Sequence, residues 1–295
     1  MIGVVVLNYN DHDNTIEYVS RLIKFDIISR IVVIDNCSSD NSYSILKRIT
    51  NDKVDVIQSE KNNGYAYGNN CGMRYLHKKY PEIDKIVISN PDILVDSNTF
   101  ANLESLLDTT GFDAVAPIIM NRNNEVCPNF AWKRLSFLNI IQISLPIFRR
   151  ISTFLFPKSN CNYGRKALAK SSSVMPVDVL HGCFFMIKTK VVFDCGLFSE
   201  KTFLYREEDI FFHAFRLKGY SAAVSTKDKV IHLEGQTVVK NLKKWKDIER
   251  IRHSSTIVYL KDCLHVGRLA LFLNEVLYKI GYLEKKIMHF FGKRY

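Results

Sequence analysis

The sequence predicts an α/β fold, an open and mainly parallel sheet with helices on its faces. Three observations predict it. Short apolar, β-branched runs recur through the first 120 residues. Segments with helical periodicity separate them, the β-α-β order of parallel sheets with right-handed crossovers. The runs end in Asn, Asp or Gly, so polar groups gather beyond the carboxyl ends of the strands, where such sheets bind ligands.

The elements follow in order. "IGVVVLNYN" reads as a buried strand, because a parallel strand covered on both faces is apolar throughout. "DNTIEYVSRLIKF" reads as a helix, with Asn14 or Thr15 as cap and Ile16, Val19, Leu22 and Ile23 at helical spacing. "RIVVIDN", "SYSILKRIT" and "VDVIQSE" give strand, helix and strand; "YGNNCGMRYLHKKY" starts a third helix. "DKIVISNPD" is a strand that Pro91 must end, since proline has no N–H for a ladder. Its Asn90-Pro91-Asp92 mouth, with Asp96 beyond, reads either as a solvated turn or as a placed carboxylate.

"DAVAPIIM" is another strand. "VDVLHGCFFMIKTKVVFDCGLF" reads as strand, turn and short helix, and "YREEDIFFHAFRLKGY" as an acid-headed amphipathic helix ending at Gly219. "SAAVSTKDKVIHLEG" holds a last strand stopping at His232, and the chain from about residue 240 reads as helical.

Composition excludes several classes. At 47% hydrophobic and 24% charged the chain is globular. "MIGVVVLNYN" lacks a basic leader and reads as a strand rather than a signal peptide. No run reaches the roughly 18 to 20 apolar residues of a membrane span. Seven scattered cysteines without a CxxC pair predict reduced, mostly buried thiols in a cytosolic protein, not a disulfide frame or zinc site. The net charge of +11 is concentrated: residues 128–177 and 236–295 carry +8 each, leaving the remainder at −5. Such patches suit nucleic acid or an anionic membrane. No helix-turn-helix, RRM or zinc-finger pattern favours nucleic acid, and no GxGxxG follows the first strand.

The ordered motifs "VVVLNYN", "VVIDNCSSDNS", "NNGYAYGNNCG", "SNPD", "LHGCFFMIK", "FLYREEDIFF" and "VIHLEG" resemble the family 2 glycosyltransferases with a GT-A fold. The likeness covers residues 3 to 235 and is nearest the bacterial rhamnosyl- and galactofuranosyltransferase-like branch. It implies a mixed, mainly parallel central sheet flanked by helices, with a C-terminal helical extension. On this reading residues 1–110 bind the nucleotide sugar, 111–238 form the acceptor half of the same domain, and 239–295 are a basic amphipathic tail.

The resemblance also implies roles. Asp35 contacts the nucleotide base, the other reading being an Asx turn with "NCSSD". Asn8, Asn10, Asn62, Gly64, Gly68, Asn69 and Asn90 surround the nucleotide sugar, the glycines allowing close approach at a helix N-terminus that attracts anions. Gly182 gives the sugar or acceptor room, and Trp132 is read as buried, with stacking on an acceptor sugar as the second reading. Asp92, with His232, binds Mg²⁺ or Mn²⁺; Asn90 replaces the first Asp of the family's DxD site. Glu207, Glu208 and Asp209 supply the base, with Glu208 ranked just ahead of Asp209.

The implied reaction is inverting transfer from a dTDP- or UDP-linked sugar, rhamnose among them, to a glycan or lipid-linked acceptor in bacterial surface polysaccharide (capsule or O-antigen) synthesis. The rivals are a nucleotidyltransferase or similar sugar-nucleotide enzyme, and an inactive protein of this fold that binds membrane or polymer. The tail carries Leu269, Phe272, Leu273, Val276, Ile280, Leu283, Ile287 and Phe290 on one helical face, with Lys285, Lys286, Lys293 and Arg294 near its end. It predicts peripheral attachment to the cytoplasmic face of an anionic membrane, the alternative being packing on the catalytic domain or in a homodimer.

Overall fold

The computed structural model describes residues 1–155, 161–163, 168, 173–233 and 245–290. Lys293, Arg294, the last two residues of "VIHLEG" and residues 239–244 of the tail lie outside them. A nine-stranded mixed sheet is flanked by helices, with a helical region after it.

The first half alternates as the sequence predicts. Strands β1 (Ile2–Asn8), β2 (Ile28–Asp35), β3 (Val54–Gln58) and β4 (Lys85–Ser89) are joined through α1 (His12–Leu22), α2 (Ser42–Leu46) and α3 (Gly64–Lys79). All four strands pair in parallel, in the order β3-β2-β1-β4. Helices cover both faces, so every residue of β4 is buried, as are all of β1 except Leu7. Each fully buried Val, Ile or Leu contributes on the order of 1.5 to 3 kcal/mol.

Two local expectations are corrected. Helix α1 starts at His12 with Asp11 at its cap position, so Asn14 and Thr15 lie in its first turn. Asn14 Nδ2 donates to both Asp11 carboxylate oxygens (2.9 and 3.0 Å), and Thr15 Oγ1 donates to Asn8 Oδ1 (2.9 Å). Helix α3 starts at Gly64, not in the "YGNN" run, which puts Gly68 and Asn69 inside it.

After β4 the chain makes β5 (Ile93–Leu94), α4 (Ser97–Thr109) and β6 (Ala114–Met120). Asp96 caps α4, its Oδ1 accepting from the Thr99 N–H at 2.7 Å. The basic segment supplies β7 (Ala131–Trp132), α5 (Phe137–Ser144) and α6 (Pro146–Leu155). Strands β8 (Val174–Val177), β9 (Val179–Leu180) and β10 (Phe184–Lys188) lead into α7 (Thr189–Asp194), α8 (Glu207–Leu217) and β11 (Ala222–His232). Strand β10 runs antiparallel between β4 and β6, while β11 pairs parallel to β6 and antiparallel to β5 and β8. The seven cysteines are free thiols; three, not most, are buried.

The tail forms α9 (Trp245–Asp262) and α10 (Arg268–Phe290). No helix among the described residues is long and apolar enough to cross a membrane. Helix α10 packs on the rest of the protein by its polar side. Asn274 is buried, and Gly281 lies so close to α5 that a Cβ there would stand 1.9 Å from the Ser144 carbonyl oxygen. Lys285, expected on a basic outer face, is instead buried against Glu249 of α9 at 2.5 Å. The apolar row predicted from spacing is turned outward, with Leu269 73%, Phe272 64% and Leu283 56% exposed.

Gly281 therefore gives a test of tail docking. Gly281→Val forces α10 off α5 at a cost on the order of 1 to 3 kcal/mol, typical of overpacking. Limited proteolysis should cut faster within 264–290, while protection of the β1–β4 sheet in hydrogen exchange stays unchanged.

Candidate functional site

One cavity of about 1040 Å³ opens where the carboxyl ends of β1 and β4 meet the start of α8. Two strand pairings assemble its wall. Antiparallel β10 brings His181, Gly182 and Cys183 beside β4, where the Asn90 N–H donates to the Cys183 carbonyl at 2.9 Å. Strand β5 pairs with β11 so that Ile93 faces His232, and the Leu233 N–H donates to the Asp92 carbonyl at 2.9 Å. Asp92 and His232, distant in sequence, thus end 3.2 Å apart (Oδ1 to Nε2) on the cavity wall.

The "REED" acids line the same cavity at the head of α8. Tyr205 and Arg206, just before it, both adopt left-handed backbone (φ +71° and +69°), which turns the chain sharply into the helix. Glu208 Oε1 accepts the Gly182 N–H at 3.1 Å. Its carboxyl is pushed up to about 7, chiefly by burial and further by the charge of Asp209, against the pull of helix N–H groups, the Gly182 N–H and Arg206. Glu207 is buried and raised well above the ordinary range by burial, then by Glu208; its Oε2 has no hydrogen-bond partner among the described residues. Asp209 has both oxygens engaged, accepting from Trp132 Nε1 (2.7 Å) and from Arg206 (3.0 Å).

Gly182 lines the cavity beside Glu208. A Cβ there would lie 2.6 Å from Glu208 Oε1, so the missing side chain is what admits the Glu208 carboxylate. Trp132 is half-buried on the cavity wall, tied to Asp209 by its indole N–H.

The asparagine and glycine set divides. Asn62, Gly64 and Asn90 line the cavity. Gly64 has φ +90°, and a Cβ would meet the Phe203 carbonyl oxygen at 1.9 Å, so only glycine fits. Asn62 Oδ1 accepts from the Gly64 N–H and from Asn36 Nδ2, both at 3.1 Å.

Asn8, Asn10, Asp35, Gly68 and Asn69 are not among the residues lining the cavity. Asp35 is fully buried and accepts from Asn8 Nδ2 (2.9 Å), Ser38 N–H (3.0 Å), Ser38 Oγ (2.5 Å) and Gln58 Nε2 (3.1 Å). Its bonds to Ser38 close the Asx-type turn into "NCSSD". Asn10 holds the same loop through Ser38 and Ser39. Gly68 packs α3 on β1, where a Cβ would lie 2.3 Å from Leu7 Cδ1. Asn69 Nδ2 donates back to the Tyr65 carbonyl at 3.0 Å within the helix.

Sequence reasoning missed three groups on this wall. His181 lies beside Gly182, its Nδ1 accepting the Cys183 N–H at 3.1 Å; burial pushes its pKa down to about 3. Tyr65 donates its hydroxyl to the Gly182 carbonyl at 2.7 Å. From the tail, Glu249, Arg252, His253, Tyr278 and Lys285 wall the far side. The polar letters before Gly182 carried a signal for His181; nothing in the sequence placed the tail there.

Asp92 and His232 fit a divalent cation. One carboxylate and one imidazole suit an ion that takes its other ligands from a diphosphate and water. Among the described residues no cluster of three or more His, Cys, Asp or Glu could hold a metal by itself.

Residues 3–175 match the model for Glycosyl transferase family 2. The chain is similar to the low-salt glycan biosynthesis hexosyltransferase Agl10 of Haloferax volcanii, 25% identical over 210 residues. That match takes in 70% of this chain and 59% of the relative, so the chain spans under two thirds of its length. Among solved structures it is similar in fold to the mannosyltransferase PcManGT from Pyrobaculum calidifontis in complex with GDP-Man and Mn²⁺ (14% identity, TM-score 0.55, 98% of this chain and 74% of that one). It is also similar to S. aureus TarS 1-349 with UDP-GlcNAc (17%, 0.55, 88% and 66%) and to GalNAc-T7 with UDP, GalNAc and Mn²⁺ (14%, 0.59, 86% and 48%). The family model covers more than half of the chain, and the chain belongs to glycosyl transferase family 2.

Proposed function

We propose that this protein is an inverting glycosyltransferase that moves a sugar from a nucleoside-diphosphate donor to an acceptor hydroxyl, with Glu208 as general base. The observation that carries it is the presence in one cavity of a base-poised carboxylate, Glu208, together with the Asp92–His232 pair. Glycan synthesis with a hexose-class donor is the setting, rhamnose being the sugar to which the motifs point. The Agl10 relative, by name a hexosyltransferase of glycan biosynthesis, supports the hexose class.

The acceptor oxygen attacks the anomeric carbon as the bond to the diphosphate oxygen breaks. The electron pair leaves with the nucleoside diphosphate, and the acceptor proton passes to Glu208. A Gly182 N–H holds one Glu208 oxygen, which orients the carboxylate toward the acceptor. Asp209 is committed to Trp132 and Arg206, so it positions the head of α8 rather than accepting the proton. Asp92 and His232 would hold Mg²⁺ or Mn²⁺, which supplies charge for the leaving diphosphate. Neighbours crystallised with Mn²⁺ support that choice.

The outward apolar row of α10 and the exposed Ile147, Phe148, Ile151, Phe154 and Leu155 of α6 carry a second proposal, peripheral attachment to an anionic membrane. Exposed Arg268, Lys279 and Lys286 flank the row on α10. Each basic residue near such a surface adds on the order of 1 kcal/mol. A lipid-linked acceptor in surface polysaccharide synthesis fits this placement.

Glu208→Gln should cut transfer by about 10²- to 10⁴-fold and leave nucleotide affinity unchanged. The wild-type rate should rise with pH through about 7 and level off above it, since the base acts when deprotonated. A pH-independent rate, or near-normal turnover of Glu208→Gln across UDP-, dTDP- and GDP-sugars, removes Glu208 as base. Sugar-nucleotide binding without any turnover in the wild type favours the inactive-binder reading.

Asp92→Ala should abolish the Mn²⁺-dependent part of nucleoside-diphosphate affinity in calorimetry, with the melting temperature little changed. Equal affinity with and without metal in both proteins refutes the metal role.

For the membrane proposal, Phe272→Glu with Leu283→Glu should strip the full chain from anionic vesicles in co-sedimentation, and salt should weaken the wild type. Loss of a salt-insensitive dimer in the same variant, without vesicle binding by the wild type, assigns the face to a second copy.

A further inference from the structure

We propose that His181 binds the donor sugar, its Nε2–H donating a hydrogen bond to a hydroxyl of the sugar being transferred. This rests on the glycosyltransferase reading and assigns it a specificity-determining residue.

The first observation fixes the tautomer. The Cys183 backbone N–H donates to His181 Nδ1 at 3.1 Å, so the Nδ1 lone pair is spent and the ring proton sits on Nε2. Nε2 then offers a donor and no lone pair, which excludes His181 as a metal ligand in this arrangement. The β10 pairing next to it, with Phe184 opposite Ser89, holds the Cys183 N–H in place.

The second observation is position. The His181 ring meets both His232 (centroids 6.0 Å, 70°) and Trp132 (6.0 Å, 88°) edge-on. Beyond His232 lies Asp92, at the diphosphate end; beyond Trp132 lies Asp209, at the head of α8. The next residue, Gly182, holds the base Glu208. His181 therefore links, by direct contacts, the residues of the leaving-group end to those of the acceptor end, and in an in-line transfer the group between those ends is the sugar. The ring lines the cavity, and Nε2 has no protein hydrogen-bond partner among the described residues.

A donor fixed by the backbone and enclosed by Trp132 and His232 is costly to leave unpaired. It should favour sugars with a hydroxyl at the matching position over their deoxy analogues. Its neutral N–H also adds no cation beside the Asp92 and His232 pair.

Calorimetry on the full chain tests this through binding, separately from turnover. The affinities compared are those of a sugar nucleotide and of its nucleoside diphosphate, for wild type, His181→Phe and His181→Gln. His181→Phe should weaken the sugar nucleotide about tenfold or more, the scale of one lost hydrogen bond. The nucleoside diphosphate should change less than about twofold. His181→Gln, which keeps an N–H at similar reach, should recover most of the loss. A monodeoxy donor lacking the contacted hydroxyl should bind wild type and His181→Phe alike. A parallel loss of nucleoside-diphosphate affinity would place His181 on the diphosphate and overturn the proposal. Unchanged sugar-nucleotide affinity in a folded His181→Phe would overturn it as well. Failure of the wild type to bind any of UDP, GDP or dTDP would instead bring down the glycosyltransferase reading beneath it.

Discussion

The site depends on one strand running against its neighbours. β10 enters the sheet antiparallel between β4 and β6. Its N-terminal end therefore lies at the edge where the parallel strands end, and the turn before it, His181-Gly182, meets Asn90 and Asp92. A parallel β10 would carry that turn to the opposite edge. The short β5–β11 pair does the same for Asp92 and His232. Backbone pairing, not side-chain attraction, thus brings three distant segments to one wall, and ladder bonds hold that geometry better than a mobile loop would.

Around Glu208 the chemistry is a balance of burial against donors. A carboxylate at a helix N-terminus is ordinarily favoured as the anion. Burial reverses that here and leaves the carboxyl near neutrality, where a base can both lose and regain its proton. The balance is sensitive to small parts. Gly182 contributes a donor and an absent side chain, Tyr65 anchors the Gly182 carbonyl, and Arg206 holds Asp209. The left-handed Tyr205 and Arg206 cost on the order of 1 to 3 kcal/mol each. Arg206's bonds to Asp209 and Thr256, and its place in the turn that aims Glu207 and Glu208, offset that strain locally.

The sheet was legible because parallel strands buried on both faces must be continuous apolar runs, and β1, β2, β4 and β6 are. That Asp92, His232 and Glu208 share one cavity was legible because polar residues stood at element ends. The hydrogen bonds of Asp35 were not legible, since a letter cannot show that four protein donors meet its carboxylate. The place of Gly68 and Asn69 inside α3 was not legible, because glycine serves close helix–strand packing as readily as a ligand turn. Helix α4 escaped because its start hides behind "NPD", where Asp96 looked like chemistry and is a cap. Helices α5 and α6 escaped because charge and aromatic content drew the reading away from periodicity. His181 needed the register of β10, which exists only in three dimensions.

The tail shows why an amphipathic pattern fixes a face but not its direction. The usual rule turns the apolar stripe toward the core. Helix α10 reverses it, because its inward side is built from small or polar residues that fit specific partners. Gly281 admits the α5 backbone, His253 of α9 pairs with Glu275 at 2.7 Å and stacks on Tyr278, and Lys285 joins Arg252 on the buried Glu249. A buried carboxylate with two cations is costly to break from one side, since the remaining charge would be left unpaired. The α9–α10 arrangement is therefore held by charge and close approach while its apolar surface faces out. Tyr278, Lys285 and Met288 of the same helix wall the cavity. One helix thus carries both an exposed apolar face and part of the cavity lining, so the proposed attachment and the proposed site meet on α10.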